Sequence, residues 1–297
     1  MHIDIEKLKQ SKSTKELISF GILNIDKPAG CTSFDVVNHV RKKLGLSKAG
    51  HFGTLDPQVT GVLPICLEKA CKIQGYFMQK EKVYTGKMKL HKPIEKEKLE
   101  IEMNNFLGII NQLPPRKSRV KRQVREREII EFKLIELNSE TREAGFIARV
   151  QAGTYIRKLV ADLGENIGGA HMIELRRNQA GLFSDKDAEF ISLEEFDKVI
   201  EGYEKGSEKE LRKLIIPAEI ITKSIELVEV NQEAVAKLKN GSPIFEEMLI
   251  NPEEAIKIID KKVAFAVVCK DNLIEIAKKD DNFKFPNVLA KAECVLV

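Results

Sequence analysis

Alternation of apolar and polar positions predicts strands in the first two thirds of the chain. In residues 82–91, KVYTGKMKLH, the side chains of Tyr84, Met88 and Leu90 fall on one face and lysines on the other. This two-residue period is typical of a half-buried strand. Apolar runs bounded by turn residues predict further strands at 21–28, 62–68, 128–137, 144–152 and 171–183.

A period of 3.6 residues predicts helices between these strands. We expect Ser33 to cap a helix at 32–45, whose apolar face carries Phe34, Val37 and Val40. Further helices are predicted at 69–80, 94–109, 154–168 and 192–214.

The pattern divides the chain into three parts. Residues 1–20 are polar and are interpreted as an N-terminal extension. Residues 21–222 form the main domain, and residues 223–297 a small β-rich domain with a hairpin across an Asp-Asn turn at 263–279. The fold class is α+β, with a mainly antiparallel mixed sheet flanked by helices.

Composition narrows the class of protein. Of 297 residues, 43% are hydrophobic, which supplies a buried core, and the net charge is only +4. Five cysteines show neither metal-ligand spacing nor a disulfide pattern, which favours a reduced compartment. The N-terminus has no apolar signal core and no apolar run is long enough to span a membrane, so we expect a soluble cytoplasmic protein.

Basic charge is concentrated in one segment. Residues 114–125, PPRKSRVKRQVR, hold six cations and no acid. Such a run can neutralise phosphates along a nucleic-acid backbone, but a solvated basic loop has the same composition. From the pattern alone the two interpretations are about equally supported.

The loop GHFGTLDPQVTGVLP at 50–64 raises a similar choice. Asp56 precedes a proline among glycines, so it is either a turn former or a reactive carboxylate. The glycines do not match a phosphate-binding loop, because no Gly-Lys-Ser/Thr follows them. The loop alone favours the turn.

Other polar residues also have two interpretations. Tyr84 is either a core tyrosine or a platform for stacking a nucleobase. Arg157 either points to solvent or holds a carboxylate ionised. His51 is isolated, which favours a structural role, and ELRR at 174–177 is read as a salt-bridged strand face.

Five segments together resemble one family, the TruB family of RNA pseudouridine synthases. The resemblance spans about residues 21–183. It rests, in order and spacing, on GILNIDKPAGCTSFDVV, GHFGTLDPQVTGVLPI, KVYTGKMKLH, GTYIRKLVADLG and GAHMIELRR. PPRKSRVKRQVREREI and the methionine of GGAHMIELRR resemble the archaeal H/ACA-type, dyskerin-like branch.

The resemblance implies the pseudouridine synthase fold, with a barrel-like RNA-binding PUA domain at 223–297. It implies an isomerisation in which uridine is detached from its ribose, rotated and rejoined through carbon 5. No metal or other cofactor takes part. The implied partners are tRNA, rRNA, an H/ACA guide RNA and small protein subunits of the H/ACA particle.

The same resemblance assigns catalytic residues. Asp56 attacks or deprotonates the ribose, Arg157 pairs with it as a buried guanidinium, and Tyr84 stacks on the target base. The resemblance also assigns four residues to substrate binding: Leu175, His51, Tyr155 and Lys27. Leu175 forms an apolar wall of the uracil pocket, Tyr155 supports the residues that contact the substrate, and Lys27 supports the loop.

For RNA contact we expect the cations of the basic segment: Lys117, Arg119, Lys121, Arg122 and Arg125. Two positions depart from the family pattern. Phe52 replaces a small hydroxyl residue and is expected to alter how neighbours of the flipped nucleotide pack. Arg119 replaces a small residue and adds one charge.

Two alternatives to a guide-RNA enzyme stay open. One is a stand-alone synthase that acts on the T-loop uridine of tRNA. The other is an RNA-binding scaffold without activity, which predicts the loss of a catalytic group, whereas Asp56, Tyr84 and Arg157 are all present.

Overall fold

The computed structural model describes residues 3–114, 121–279 and 287–296. Its α-helices are named in chain order: α1 Ile5–Ser11, α2 Thr14–Ser19, α3 Ser33–Lys43, α4 Gln74–Met78, α5 Lys96–Asn104, α6 Ile156–Ile167, α7 Leu193–Glu204, α8 Lys209–Leu214, α9 Gln232–Lys239 and α10 Pro252–Ile259. Three 3-10 helices span Glu68–Ile73, Ala218–Lys223 and Glu246–Met248.

The strands follow the alternation of the sequence. They are β1 Gly21–Lys27, β2 Ala49–His51, β3 Thr60–Leu67, β4 Lys82–Leu90, β5 Gly108–Gln112, β6 Arg125–Asn138, β7 Glu143–Val150, β8 Ala170–Ala180, β9 Phe183–Ser184, β10 Phe190–Ser192, β11 Ile216–Pro217, β12 Leu227–Glu229, β13 Ile244–Phe245, β14 Phe265–Cys269, β15 Asn272–Lys278 and β16 Val288–Val295.

The main domain is built around one mixed sheet. Its strand order is β10-β1-β3-β8-β4-β7-β6-β5, with β11, β2 and β9 paired to β1, β3 and β8. Only the β1–β10 and β3–β8 pairs of this sheet are parallel in the described residues. The expected α+β class with a mainly antiparallel mixed sheet is therefore confirmed.

Helices cover the sheet because several strands are apolar on both faces. On β1, Ile22 joins one apolar cluster and Leu23 joins another, which also holds the buried face of α3. The apolar stripe of α6, including Leu159 and Leu163, is fully buried against the part of the sheet that contains β4 and β7. Burial of both sheet faces explains the near-continuous apolar runs.

A second sheet forms the C-terminal β domain, in the order β12-β14-β15-β16-β13. The predicted hairpin is present, but its turn differs. Lys270 and Asp271 form the turn, and Asn272 already pairs with Cys269. Lys270 has a φ of 55°, so it takes the left-handed conformation that the turn requires. Helix α10 was not predicted from the sequence.

The N-terminal segment is folded into the core, where an extension had been expected. Helices α1 and α2 each carry a side-chain N-cap, and Ile3 and Leu17 are fully buried. Ile3 and Leu8 belong to an apolar cluster that also contains Ala266 and Ile276 of the C-terminal β domain. Within the described residues, no helix is long and apolar enough to cross a membrane.

Candidate active site

Asp56 lies in the loop between β2 and β3, here called the Asp56 loop (residues 52–59). Its carbonyl accepts a hydrogen bond from the Val59 N–H at 3.0 Å, with Pro57 and Gln58 between them, which is a β-turn. The turn is made by the main chain, so the Asp56 carboxylate is left free for another contact. The two interpretations of this aspartate are therefore compatible.

The buried side chain of Lys27 stabilises this loop. Its Nζ donates to the carbonyls of Pro28, Pro57 and Val59 at 2.8, 3.0 and 2.8 Å. The side chain is fully buried, and burial lowers the pKa of the ammonium group. Lys27 therefore supports the loop, as the sequence analysis expected.

Ser33 holds the loop as well, and it is not the helix cap. Thr32 caps α3 in a capping box with Asp35. The Ser33 hydroxyl instead accepts from the Leu55 N–H at 2.8 Å and lies 3.1 Å from the Leu55 carbonyl. The shift by one residue also turns Phe34 to solvent, where it is 70% exposed, so the expected apolar face was wrong at that position.

Arg157 donates a hydrogen bond to the Asp56 carboxylate from the first turn of α6. The predicted pairing is therefore present. The guanidinium is not buried, however: the two side chains are 57% and 53% exposed. The pair is therefore open to solvent in this structure.

Tyr84 and Leu175 lie in the apolar cluster that Leu55 and Val59 of the loop also join. Tyr84 is 8% exposed and faces Arg177 across the β4–β8 pair. Leu175 is half-buried opposite Gly86. The structure therefore brings both predicted residues into the apolar layer next to the Asp56 loop.

His51 and Tyr155 act through main-chain contacts. The His51 Nδ1 accepts from the Gly53 N–H at 3.3 Å, and burial lowers the pKa of the imidazole. The Tyr155 N–H donates to the Gln112 Oε1 at 3.0 Å, one residue before α6 begins. In the described residues, no group of three or more His, Cys, Asp or Glu side chains could hold a metal ion.

The described residues that flank the basic segment lie near the start of α6. Gln112 at the end of β5 pairs with Arg125 at the start of β6, and the Gln112 side chain is bonded to Tyr155. The connection between these strands therefore starts and ends near the helix that carries Arg157. Lys121 and Arg122 are exposed and Arg125 is half-buried, whereas Lys117 and Arg119 lie outside the described residues.

Phe52 points away from the site, which corrects its expected effect on the packing of a nucleotide. Its ring is 1% exposed and stacks on Phe77, with ring centroids 4.4 Å apart and an interplanar angle of 11°. The Phe183 ring also packs against it, with ring centroids 5.7 Å apart. The aromatic residue at this position therefore fills the core.

The ELRR strand contains two arginines with different roles. Arg176 forms a bidentate ion pair with Asp26 at 2.9 and 3.0 Å, as expected for a salt-bridged strand face. Arg177 is fully buried and donates to the carbonyls of Val62 at 2.8 Å and Gly53 at 3.0 Å. No local pattern identifies Arg177, because both acceptors are distant in sequence.

Family models match most of this region. The model described as TruB family pseudouridylate synthase (N terminal domain) matches residues 41–156, and the model described as tRNA pseudouridylate synthase B C-terminal domain matches residues 157–223. The first match contains Asp56 and Tyr84, and the second contains Arg157.

Relatives and solved structures agree with these models. The chain is 39% identical to a probable tRNA pseudouridine synthase B of Methanopyrus kandleri, over 91% of this chain and 79% of the relative. It is 40% identical to a protein of the same name from Methanocaldococcus jannaschii, over 79% and 69%.

Among solved structures, a chain of a Cbf5-Nop10-Gar1 complex superposes with a TM-score of 0.85 and 33% identity, covering 97% of this chain and 88% of that chain. A chain of an H/ACA RNP bound to a substrate RNA containing 2'-deoxyuridine gives 0.83 and 31%, covering 97% and 89%. The chain belongs to the TruB family of pseudouridine synthases.

Proposed function

We propose that this pseudouridine synthase is the catalytic subunit of an H/ACA-type guide-RNA particle that modifies uridines of tRNA and rRNA. The observation that carries the proposal is the Asp56–Arg157 pair, which lies open to solvent on the loop and the helix next to the described ends of the basic segment. An exposed carboxylate next to cations suits a substrate that is a polyanion.

In this proposal each side chain has a defined task. Asp56 acts on the ribose as nucleophile or base, and Arg157 orients the carboxylate and keeps it ionised. A uridine must leave the RNA stack to reach Asp56, and Tyr84 with Leu175 provides the apolar surface that receives its base. Because the pair is open in the free chain, the bound nucleotide excludes water from it.

RNA binding is assigned to two parts of the chain. Lys121, Arg122 and Arg125, with Lys117 and Arg119 of the same segment, neutralise phosphates near the site. Residues 21–222 are assigned to catalysis. Residues 223–297 are assigned as a PUA-like domain that binds RNA, an assignment supported by the five-stranded sheet found there. A cytoplasmic location also remains a prediction.

The guide-RNA assignment is supported by the solved complexes, one of which contains Nop10 and Gar1 and another of which is bound to a substrate RNA. A stand-alone tRNA synthase is the second candidate, because the curated relatives are named probable tRNA pseudouridine synthase B. Both activities can belong to one enzyme.

One experiment separates the two candidates. The purified chain is given bare tRNA transcript, and in parallel a guide-paired RNA with the small protein subunits. Pseudouridine formation that requires guide RNA and these subunits supports the proposal. Activity on tRNA alone, with no binding of guide RNA, would overturn it in favour of the stand-alone enzyme.

A further inference from the structure

Three buried cations lie against the Asp56 loop, and we name them the cationic floor: Lys27, Lys82 and Arg177. Their side chains are 0%, 5% and 1% exposed. Lys27 and Arg177 donate to carbonyls of the loop, and the Lys82 Cε lies 3.9 Å from the position that a Cβ on Gly53 would take.

In the described residues, the cationic floor donates mainly to main-chain carbonyls, which for Lys82 are those of Met78 at 2.6 Å and Lys80. Arg177 also interacts with the Tyr84 hydroxyl. None of the three cations is in an ion pair there, although Arg176, next to Arg177, is. Burial of an unpaired charge opposes folding, so three adjacent cases need a reason.

Two glycines leave room for Arg177 to approach the backbone on either side of Asp56. Gly61 has a φ of 102°, and a Cβ there would lie 2.2 Å from the Arg177 carbonyl oxygen. Gly53 has a φ of 122°, and a Cβ there would lie 3.4 Å from the Arg177 Nη1. Two glycines in the sequence around Asp56 therefore allow the strand that carries this arginine to come close.

These cations also affect one another. Burial is the main cause of the lowered pKa of Lys27, Lys82 and His51, and the charge of Arg177 lowers the pKa of each further. For Lys27, the charges of Cys31, Asp56 and Asp35 oppose this lowering. Tyr84 interacts with Arg177 through its hydroxyl, which opposes the lowering of the arginine pKa by burial. The positive field therefore reaches the loop and the residue assigned to the target base.

Such a field has a use at this site. The Asp56 carboxylate and the phosphates of an incoming RNA are both negative and repel each other. Positive charge held by buried side chains offsets that repulsion more strongly than surface lysines could. The simpler alternative is that the three side chains only brace the loop through hydrogen bonds.

We infer that the cationic floor consists of positioning residues whose summed charge, in addition to their hydrogen bonds, accelerates the reaction at Asp56. This inference rests on the proposed function. The titration of Lys82 provides a test of the inference. Its pKa is lowered to about 8, mainly by burial and then by the charge of Arg177. Arg177 faces Lys82 from β8, while α4 and the turn after it present the carbonyls of Met78 and Lys80 to its ammonium group. Above that pH the cationic floor loses one charge.

The experiment compares pH profiles of the rate of pseudouridine formation at saturating RNA, from about pH 6.5 to about pH 9.5. The wild-type rate should fall about fivefold as pH rises through 8. Lys82→Arg should stay level, because a guanidinium keeps its charge throughout. Lys82→Met should show the low rate at every pH. Lys89→Met, on the same strand, should follow the wild type.

A level wild-type profile, or a Lys82→Arg profile that falls like the wild type, would overturn the inference. NMR titration of the Lys82 Cε in the wild-type chain keeps the test valid if a variant does not fold, since the rate must change at the pH where this carbon titrates. A chain that forms no pseudouridine at any pH contradicts the proposed function instead.

Discussion

The Arg157 guanidinium holds the Asp56 carboxylate across 101 positions of sequence, from the first turn of α6 to the turn that follows β2. Each side chain is more than half exposed. An ion pair this exposed contributes little to folding, about 0–1 kcal/mol. Its geometry is therefore best explained by what it does to a bound substrate, and the effects on activity and on stability should separate.

Asp56→Asn should abolish pseudouridine formation and leave RNA binding nearly unchanged. The amide cannot act as nucleophile or base. The turn should persist, because the Asp56 carbonyl, and not its side chain, accepts from Val59. Turnover is measured by chemical detection of pseudouridine, and binding by filter retention. Unchanged turnover in a folded variant would refute the assigned role.

Arg157→Lys should lower kcat about 10- to 100-fold with almost no change in melting temperature. Lysine keeps the charge but loses the planar fork that orients a carboxylate, and a small displacement of a reacting group costs this much. Single-turnover kinetics and thermal unfolding provide the two measurements. A loss of stability that matched the loss of activity would show that the pair is structural.

Replacing both Lys121 and Arg122 by alanine should weaken RNA binding and flatten its salt dependence. Each lost phosphate contact lowers the slope of log K against log salt by about 0.7–0.9. Binding is measured across a salt series. The paired control is Lys198→Ala on α7 with Lys205→Ala at its C-terminal cap, which should keep the wild-type slope. Equal slopes in both double variants would contradict a phosphate contact by the basic segment.

Glu275→Gln should remove a pH dependence of stability. Glu275 is fully buried in β15, neither carboxyl oxygen has a partner in the described residues, and burial raises its pKa to about 7. The folded chain therefore keeps a proton that the unfolded chain releases near pH 4.5, so stability falls as pH rises from there to about 7.

The loss attributable to Glu275 is about 3 kcal/mol and should be complete about one pH unit above 7. Urea unfolding of the wild type and of Glu275→Gln at pH values across this range measures it. Glu253→Gln, at an exposed position of the same domain, is the control. If Glu275→Gln retained the wild-type slope, the buried carboxyl would not be its source.

The periodicity of the sequence predicts most of the main domain. The apolar stripe of α6 and the alternation in β4 match the observed buried faces, because each depends on neighbours in sequence. Helix α10 was missed although a signal exists, namely Pro252 at its start followed by Glu253 and Glu254. Its short length hid the apolar period.

The candidate site, too, could be predicted only in part from the sequence. The motif residues Asp56 and Arg157 meet as the family resemblance implies, but their exposure depends on packing that no local pattern encodes. Arg177 binds carbonyls 115 and 124 positions away, so its burial could not be predicted from its surroundings in sequence. Phe52 follows the last residue of β2, where alternation no longer indicates which way a side chain points.

The packing of the N-terminal segment has a consequence for cooperativity. Ile3 and Leu8 share an apolar cluster with Ala266 and Ile276, and Lys72 donates to the Val295 carbonyl at 2.8 Å. Neither end of the chain can then detach without exposing the same apolar surface. Amide hydrogens of α1 and β14 should exchange through one shared opening, so the two ends of the polypeptide behave as a single foldon.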